Sequence, residues 1–358
     1  MFTLLPALTA ALALVMAIAL IDQWRERRQP FQLVWAIGMA FFGIASGCEA
    51  IAAVAGWNEA LYRTWYLTGA VLTAGWLGLG TAVLLAKTRF GYAIGLSIFL
   101  AGLFTLLTQR RFNYEGAGST PILYFIGAGL LALAIGVETY FQNERWPIFM
   151  AIGVVGASVL ALVLAATAPL VQPFSIDPTT GQPSADLFNA AGAVAGTNLP
   201  GSLRLLTPFL NITGGFSLAF GALFSAYVFM PKRRVLPYTL DPNQKGDHFL
   251  FNLLIAPVAL TVNFFASLPG AVRDLALGRL HSRVPATLLI AAGGFVASAG
   301  DSLNRFGITG PFAVAKFVAV ALLLGGFLVS IEAFREIRIP FTRIRLAGLR
   351  REAGPEPT

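Results

Sequence analysis

The stretch "GGFVASAGDSLNRFGITGPFAVAK", residues 293–316, reads as two apolar runs joined by a turn, with a charge set inside each run. Gly307, Gly310 and Pro311 punctuate the turn, because these residue types break helical backbone. Asp301 lies one to two helical turns before it and Lys316 a similar distance after it. On neighbouring antiparallel helices the two charges reach similar depth. A lone charge inside a bilayer costs at least roughly 2.5–3.5 kcal/mol on insertion scales. Asp301 and Lys316 are therefore read first as a structural ion pair, with proton or substrate handling as the alternative.

The rest of the chain shows why a bilayer is the right solvent. It has 358 residues, 56% hydrophobic and only 12% charged, where soluble domains carry about 25% charged residues. The excess apolar surface must face lipid. The apolar runs lack the ten-residue alternation of an outer-membrane barrel, so the fold class is all-α, a polytopic transmembrane bundle. Seven runs come first, at 3–22, 31–55, 62–86, 91–109, 121–139, 146–171 and 205–230; three more lie at 249–268, 286–303 and 311–334. A hydrocarbon core of ~30 Å needs about 20 helical residues.

Charge sets the orientation. The net charge is +8, but the basic residues sit in short loops and near the C-terminus, a positive-inside pattern and not a nucleic-acid surface. With the first helix starting outside, the inner loops between the first eight runs hold ten basic residues, including Arg25, Arg27, Arg28 and Arg233. The outer loops hold four: Arg63, Arg110, Arg111 and Arg204. The first apolar run has no basic residue before it and three arginines after it, the reverse of a signal peptide. An uncleaved first helix in a bacterial inner membrane is expected.

The C-terminal third resists a simple count. Crossing at 249–268 would export Arg273, Arg279, Arg283 and the arginine-rich tail. The conflict vanishes if that segment enters without crossing. Pro257 sits in its middle, with Asn252 and Asn263 to either side, and Pro269-Gly270 ends it. It reads as re-entrant or interfacial. Nine crossings result, with the N-terminus outside and the C-terminus cytoplasmic; ten is the alternative. The domains are then a seven-helix bundle at 1–230, a cytoplasmic loop with the non-crossing segment at 231–284, a transmembrane hairpin at 285–334, and a basic tail at 335–358.

A second acid–base pair echoes the first. Glu49 lies within the second run and Arg63 at the start of the third, 14 positions apart against 15 for Asp301 and Lys316. This is a weak internal duplication or two hairpins solving one problem. Trp57, Tyr62, Trp65 and Tyr66 cluster nearby, and Trp35, Tyr92, Tyr124, Tyr140 and Trp146 mark other helix ends, as interfacial anchors do. Gly43-x-x-x-Gly47 and Gly91-x-x-x-Gly95 permit close helix approach. The 172–204 loop is turn-rich and expected outside, and Asn211-Ile212-Thr213 falls in an apolar run, so it is discounted as a sequon.

The tail offers a surface. Pro340 interrupts it, and "FTRIRLAGLRRE" after it is expected to form a short helix on the membrane surface. Arg343, Arg345, Arg350 and Arg351 would contact anionic lipid, with an acidic partner as the alternative. Catalytic signatures are missing: there is no P-loop, dinucleotide fingerprint, HExxH or Gly-x-Ser-x-Gly. One cysteine and two histidines near membrane boundaries give no basis for a disulfide, haem or zinc centre.

Residues 34–86, with Trp35, Glu49, a short outer loop and "LYRTWYLTGAVL", resemble the seven-helix membrane sensor region of some bacterial histidine kinases. The helix count and orientation of 1–230 match it too. The departure is that two further helices follow in place of phosphotransfer and ATP-binding regions. The resemblance implies sensing and transfers no functional residue. The expectation is a non-catalytic sensor, scaffold or complex subunit that binds a lipid, a small apolar ligand or a membrane protein partner. The alternative is a secondary transporter, or part of one, using the intramembrane charges.

Overall fold

The computed structural model describes residues 3–114, 117–141, 143–170, 176, 181–183, 186–188, 194–197, 201–241, 249–281, 283–305, 311–329, 336–338 and 345–347. Among these, ten helices are long and apolar enough to cross a membrane. They are α1 (Leu4–Arg27), α2 (Pro30–Ala55), a compound third span, α5 (Gly91–Phe112), α6 (Thr120–Tyr140), α7 (Trp146–Thr167), α8 (Gly201–Phe229), α9 (Phe249–Ala276), α10 (Arg283–Arg305) and α11 (Phe312–Val329). The third span is made of α3 (Glu59–Trp65), a π-helical stretch (Tyr66–Leu72) and α4 (Thr73–Leu84). Outside the spans, β1 (Asp186–Phe188) pairs with β2 (Val194–Thr197) and β3 (Glu336–Arg338) with β4 (Arg345–Ala347), both antiparallel.

Helices in lipid gain little from burying apolar surface against each other, so small residues decide where they meet. A close backbone-to-backbone approach lies between α4 and α8. A Cβ on Gly78 would lie 2.5 Å from the Gly214 Cα, and one on Gly214 would lie 2.1 Å from the Ala74 carbonyl oxygen. Of the glycines singled out in the sequence, Gly43 meets Leu14, Gly91 meets Thr139 and Gly95 meets Ala132, while Gly47 has open space beside it. Trp35 does not act as an interfacial anchor alone. Its ring fills the notch at Gly80, and its Nε1–H donates to the Leu77 carbonyl at 3.0 Å.

The chain divides into two compact units: Met1–Gly221 with Ala292–Ala321, and Ala222–Ala291 with Leu322–Thr358. The first unit bears on how often the chain crosses between α8 and α10. Gly215 of α8 faces Ser298 of α10, and Ala219 faces Gly294. Sequence number rises along one helix as it falls along the other, so the two are antiparallel. α10 therefore starts on the side where α8 ends, and α9 must return to the side it left. A single crossing by α9 would have made α8 and α10 parallel. The length of α9 permits a span; the antiparallel direction of α8 and α10 favours nine crossings over ten.

The second unit shows how α9 is held. Val284 packs with Ala226, Tyr227, Met230 and Ala271, and Leu260, Phe264 and Leu280 flank that cluster. The α9 stretch 260–271 thus lies beside the end of α8. Pro231 meets Gly270. The Arg233 N–H then donates to Ser267 Oγ at 2.9 Å, and the N–H groups of Val235 and Leu236 donate to Asn263 Oδ1 at 2.7 and 2.9 Å. The loop leaving α8 runs back along α9 and carries Lys232, Arg233 and Arg234, all exposed.

Two expectations are corrected here. The 249–268 segment does not turn back: α9 is continuous through Pro257 and Pro269 for 28 residues. Each proline removes one helical hydrogen bond, but both are exposed at the helix surface, and an interfacial helix can lose those bonds to headgroup water. Asn263 does not line a path; its fully buried amide clamps the loop, donating also to the Leu236 carbonyl at 2.8 Å. Asn252 is half-buried near the start of α9. The tail differs as well. Arg345 lies in β4, paired with Arg338 of β3, not in a surface helix. The alternation Arg343-Ile344-Arg345-Leu346 has the period of a strand. Arg343, Arg350 and Arg351 lie outside the described residues.

Candidate functional site

The charged residues singled out in the sequence do come together, but with different partners. Lys316 on α11 pairs with Glu49 on α2, 267 positions away, its ammonium meeting both carboxylate oxygens. Their side chains are 16% and 6% exposed. The Lys316 Nζ also stands 4.5 Å from the centroid of the Phe312 ring. Asp301, the partner expected from the hairpin, is half-buried on α10 and holds interactions of its own.

Arg63 is likewise placed elsewhere. It pairs with Glu59, one turn away, at 2.6 Å. Its guanidinium also donates to the carbonyl oxygens of Ala165 and, at 2.8 Å, Ala168. These carbonyls belong to the end of α7, where the helix leaves its last acceptors without internal donors. Arg63 is thus a C-terminal cap for α7. No spacing rule pointed to it, because the carbonyls it satisfies are about a hundred positions away in the chain.

Trp65 is the hub. Its indole Nε1–H donates to Glu49 Oε1 at 2.7 Å. Its ring lies 5.3 Å from that of Trp57, 5.8 Å from Tyr62 and 6.4 Å from Tyr66. Tyr62 and Tyr66 are buried, at 1% and 3% exposure. They are core residues and not the surface anchors their position in the sequence suggests. The Tyr66 hydroxyl lies 3.3 Å from Thr207 Oγ1 on α8, and Trp57 Nε1–H donates to the Gly181 carbonyl at 2.8 Å. Through Trp57 the long loop touches the rim of the aromatic cluster.

Directly beyond Trp65 the helix widens into the π-helical stretch Tyr66–Leu72. Such insertions loosen the regular bonding and recur at functional sites. Here side chains take up the displaced carbonyls: Thr73 Oγ1 donates to Thr68 at 2.7 Å, and Asn211 Nδ2 of α8 donates to Ala70 at 2.9 Å. Asn211 is committed inside the bundle and Thr213 is buried, in keeping with the discounted sequon.

The site therefore has a buried acid, a base, an indole donor, four aromatic rings and a distorted helix. Among the described residues no group of three or more His, Cys, Asp or Glu could hold a metal ion, and Cys48 is a free, buried thiol. Deeper in the bundle, a crevice bounded by Gly75, Ile98, Met150, Phe209, Thr213 and Gly214 is apolar apart from the Thr213 hydroxyl. No known protein family, curated protein or solved structure matches this chain.

Proposed function

We propose that this protein is a non-catalytic bacterial inner-membrane sensor, in which the Glu49–Lys316 pair latches the C-terminal hairpin to the α2–α3 hairpin. The observation that carries this reading is the pair itself. It joins distant parts of the chain at one depth and is walled by Trp65 and Phe312. A lipid or small apolar ligand with a charged group would compete for one member of the pair and lie against the aromatic cluster. Releasing Lys316 would free α11, which leads directly to the basic tail.

The start of α1 is placed outside on charge grounds, since the inner loops gather the basic residues. The latch then faces the outer leaflet. A transport path would need polar side chains at successive depths, and the crevice between Gly75, Phe209 and Gly214 offers a single hydroxyl, that of Thr213. The resemblance of 1–230 to membrane sensor regions agrees with this reading. A scaffold or complex subunit would use the same surfaces without a ligand.

The test is native mass spectrometry of the full-length protein extracted in mild detergent, beside the Glu49→Gln/Lys316→Met variant. A small molecule or lipid retained by the native protein and lost from the variant supports the sensor. Stoichiometric protein partners with no bound molecule would favour the subunit reading. Accumulation of that same molecule in proteoliposomes would replace sensing with transport.

A further inference from the structure

We infer that α9 and the loop strapped along it form a binding platform for anionic phospholipid headgroups, in the leaflet on the side where α8 ends. The argument starts from the two faces of α9. Phe251, Leu254, Val258, Val262, Phe265 and Val272 are all exposed and recur at three- and four-residue spacing, which makes one stripe. Ala256, Ala259, Asn263, Ser267 and Ala271 are buried and follow the same spacing on the opposite face. A helix that does not cross, with an apolar stripe on one side, lies in the interface plane with that stripe in the acyl chains.

The basic loop sits on the other face. Asn263 and Ser267 bind the backbone of Arg233, Val235 and Leu236. This fixes Lys232, Arg233 and Arg234 over the helix on the side away from the acyl chains. That is the level of lipid phosphates. The backbone amide of Arg233 and the side chain of Asn263 are satisfied within the protein, so the clamp is structural and the three basic side chains project from it, exposed. Arg273 and Arg279, also exposed, extend the positive charge toward the end of α9. Asp274 is half-buried beside them, and the N–H groups of Arg279 and Leu280 reach back to its carbonyl. Asp241, the other acid described near the loop, has interactions of its own.

The apolar stripe and the basic loop on the opposite face of α9 together select an anionic phospholipid. A neutral lipid satisfies only the first, and a soluble acidic partner does not need the stripe. The site is separate from the Glu49–Lys316 latch and stands whether or not the latch senses a ligand.

The experiment uses the full-length protein in nanodiscs of phosphatidylcholine mixed with phosphatidylglycerol, followed by native mass spectrometry of the lipids that stay bound. The native protein should retain phosphatidylglycerol in preference. That preference should fall by about fivefold for each basic side chain removed in Lys232→Gln/Arg233→Gln/Arg234→Gln. These positions are exposed, so the variant should fold normally. Asn263→Ala keeps every charge but releases the loop, and should weaken the preference while leaving the neutral-lipid signal unchanged. Added salt should erode the preference of the native protein more than that of the triple variant. An unchanged preference in the triple variant, or none in the native protein, would overturn the inference.

Discussion

Removing the charge from Lys316 tests the latch most directly. In Lys316→Met, Glu49 loses its counter-ion and keeps one neutral donor, the Trp65 indole at 2.7 Å. Breaking a buried pair by deleting one partner costs about 3–5 kcal/mol. Glu49 is 6% exposed and too short to reach water, but the retained Trp65 donor offsets part of the loss, so the lower end of that range, about 3 kcal/mol, is expected. Glu49→Gln should cost less. The stranded ammonium keeps the Phe312 ring at 4.5 Å, an interaction worth about 0.5–2 kcal/mol. Lys316 also lies only four residues into α11, within reach of the interface for a long side chain. About 2 kcal/mol is the expectation for this variant. The double variant removes both charges and should be more stable than either single one, giving a coupling of about 3 kcal/mol or more. Thermal unfolding of the full-length protein in mild detergent reads all three. Asp301→Asn, combined in turn with Lys316→Met, is the control. Strong coupling of Lys316 to Asp301 and none to Glu49 would refute the pairing.

Arg63→Gln should destabilise the protein by about 1–3 kcal/mol, because the Ala165 and Ala168 carbonyls lose their donor, whereas Glu59→Gln, at an exposed partner, should cost under about 0.5 kcal/mol; thermal unfolding separates them. Gly214→Ala should abolish a monodisperse folded species on size exclusion, since its Cβ would overlap the Ala74 carbonyl oxygen, while Gly47→Ala, with open space, should be within about 0.5 kcal/mol of the native protein. In a Cys48→Ala background, cysteines introduced at 113 and 182 should be labelled from one side of the membrane. Those at 233 and 279 should be labelled from the other, and reaction of 233 and 279 from opposite sides would restore a crossing by α9.

How much of this could be read in the sequence depends on which physical signal carries it. Helix number and extent were legible, because each apolar run is long and continuous, and the charge rule removed α9 from the crossing count. The shape of α9 was not legible. Pro257 and Pro269 look like breaks, but a proline at an exposed position bends or weakens a helix without ending it. The clamp by Asn263 was hidden because its partners are backbone groups, which leave no mark in the sequence. The π-helical stretch has no composition of its own: Tyr66–Leu72 is ordinary membrane-helix sequence. The backbone contact of Gly78 on Gly214 joins two glycines that a search for Gly-x-x-x-Gly within one helix passes over.

The ion pairs show the same limit more sharply. Position along a helix is legible in sequence: Glu49 is six residues from the end of α2, and Lys316 four residues from the start of α11. Direction around the helix axis decides which of several charges at that depth meet, and it depends on how hairpins pack. Sequence proximity therefore favoured Asp301 for Lys316 and Arg63 for Glu49, and packing chose otherwise. The pair that formed returns information to the topology. α2 ends on the side where α1 begins, so Glu49 lies near that side. Lys316 can reach it only if α11 begins on the same side. One more crossing before α11 would carry Lys316 across the hydrocarbon core, ~30 Å away. The Glu49–Lys316 contact and the antiparallel packing of α8 on α10 thus favour the same odd number of spans, and each was formed by residues that play no part in the other.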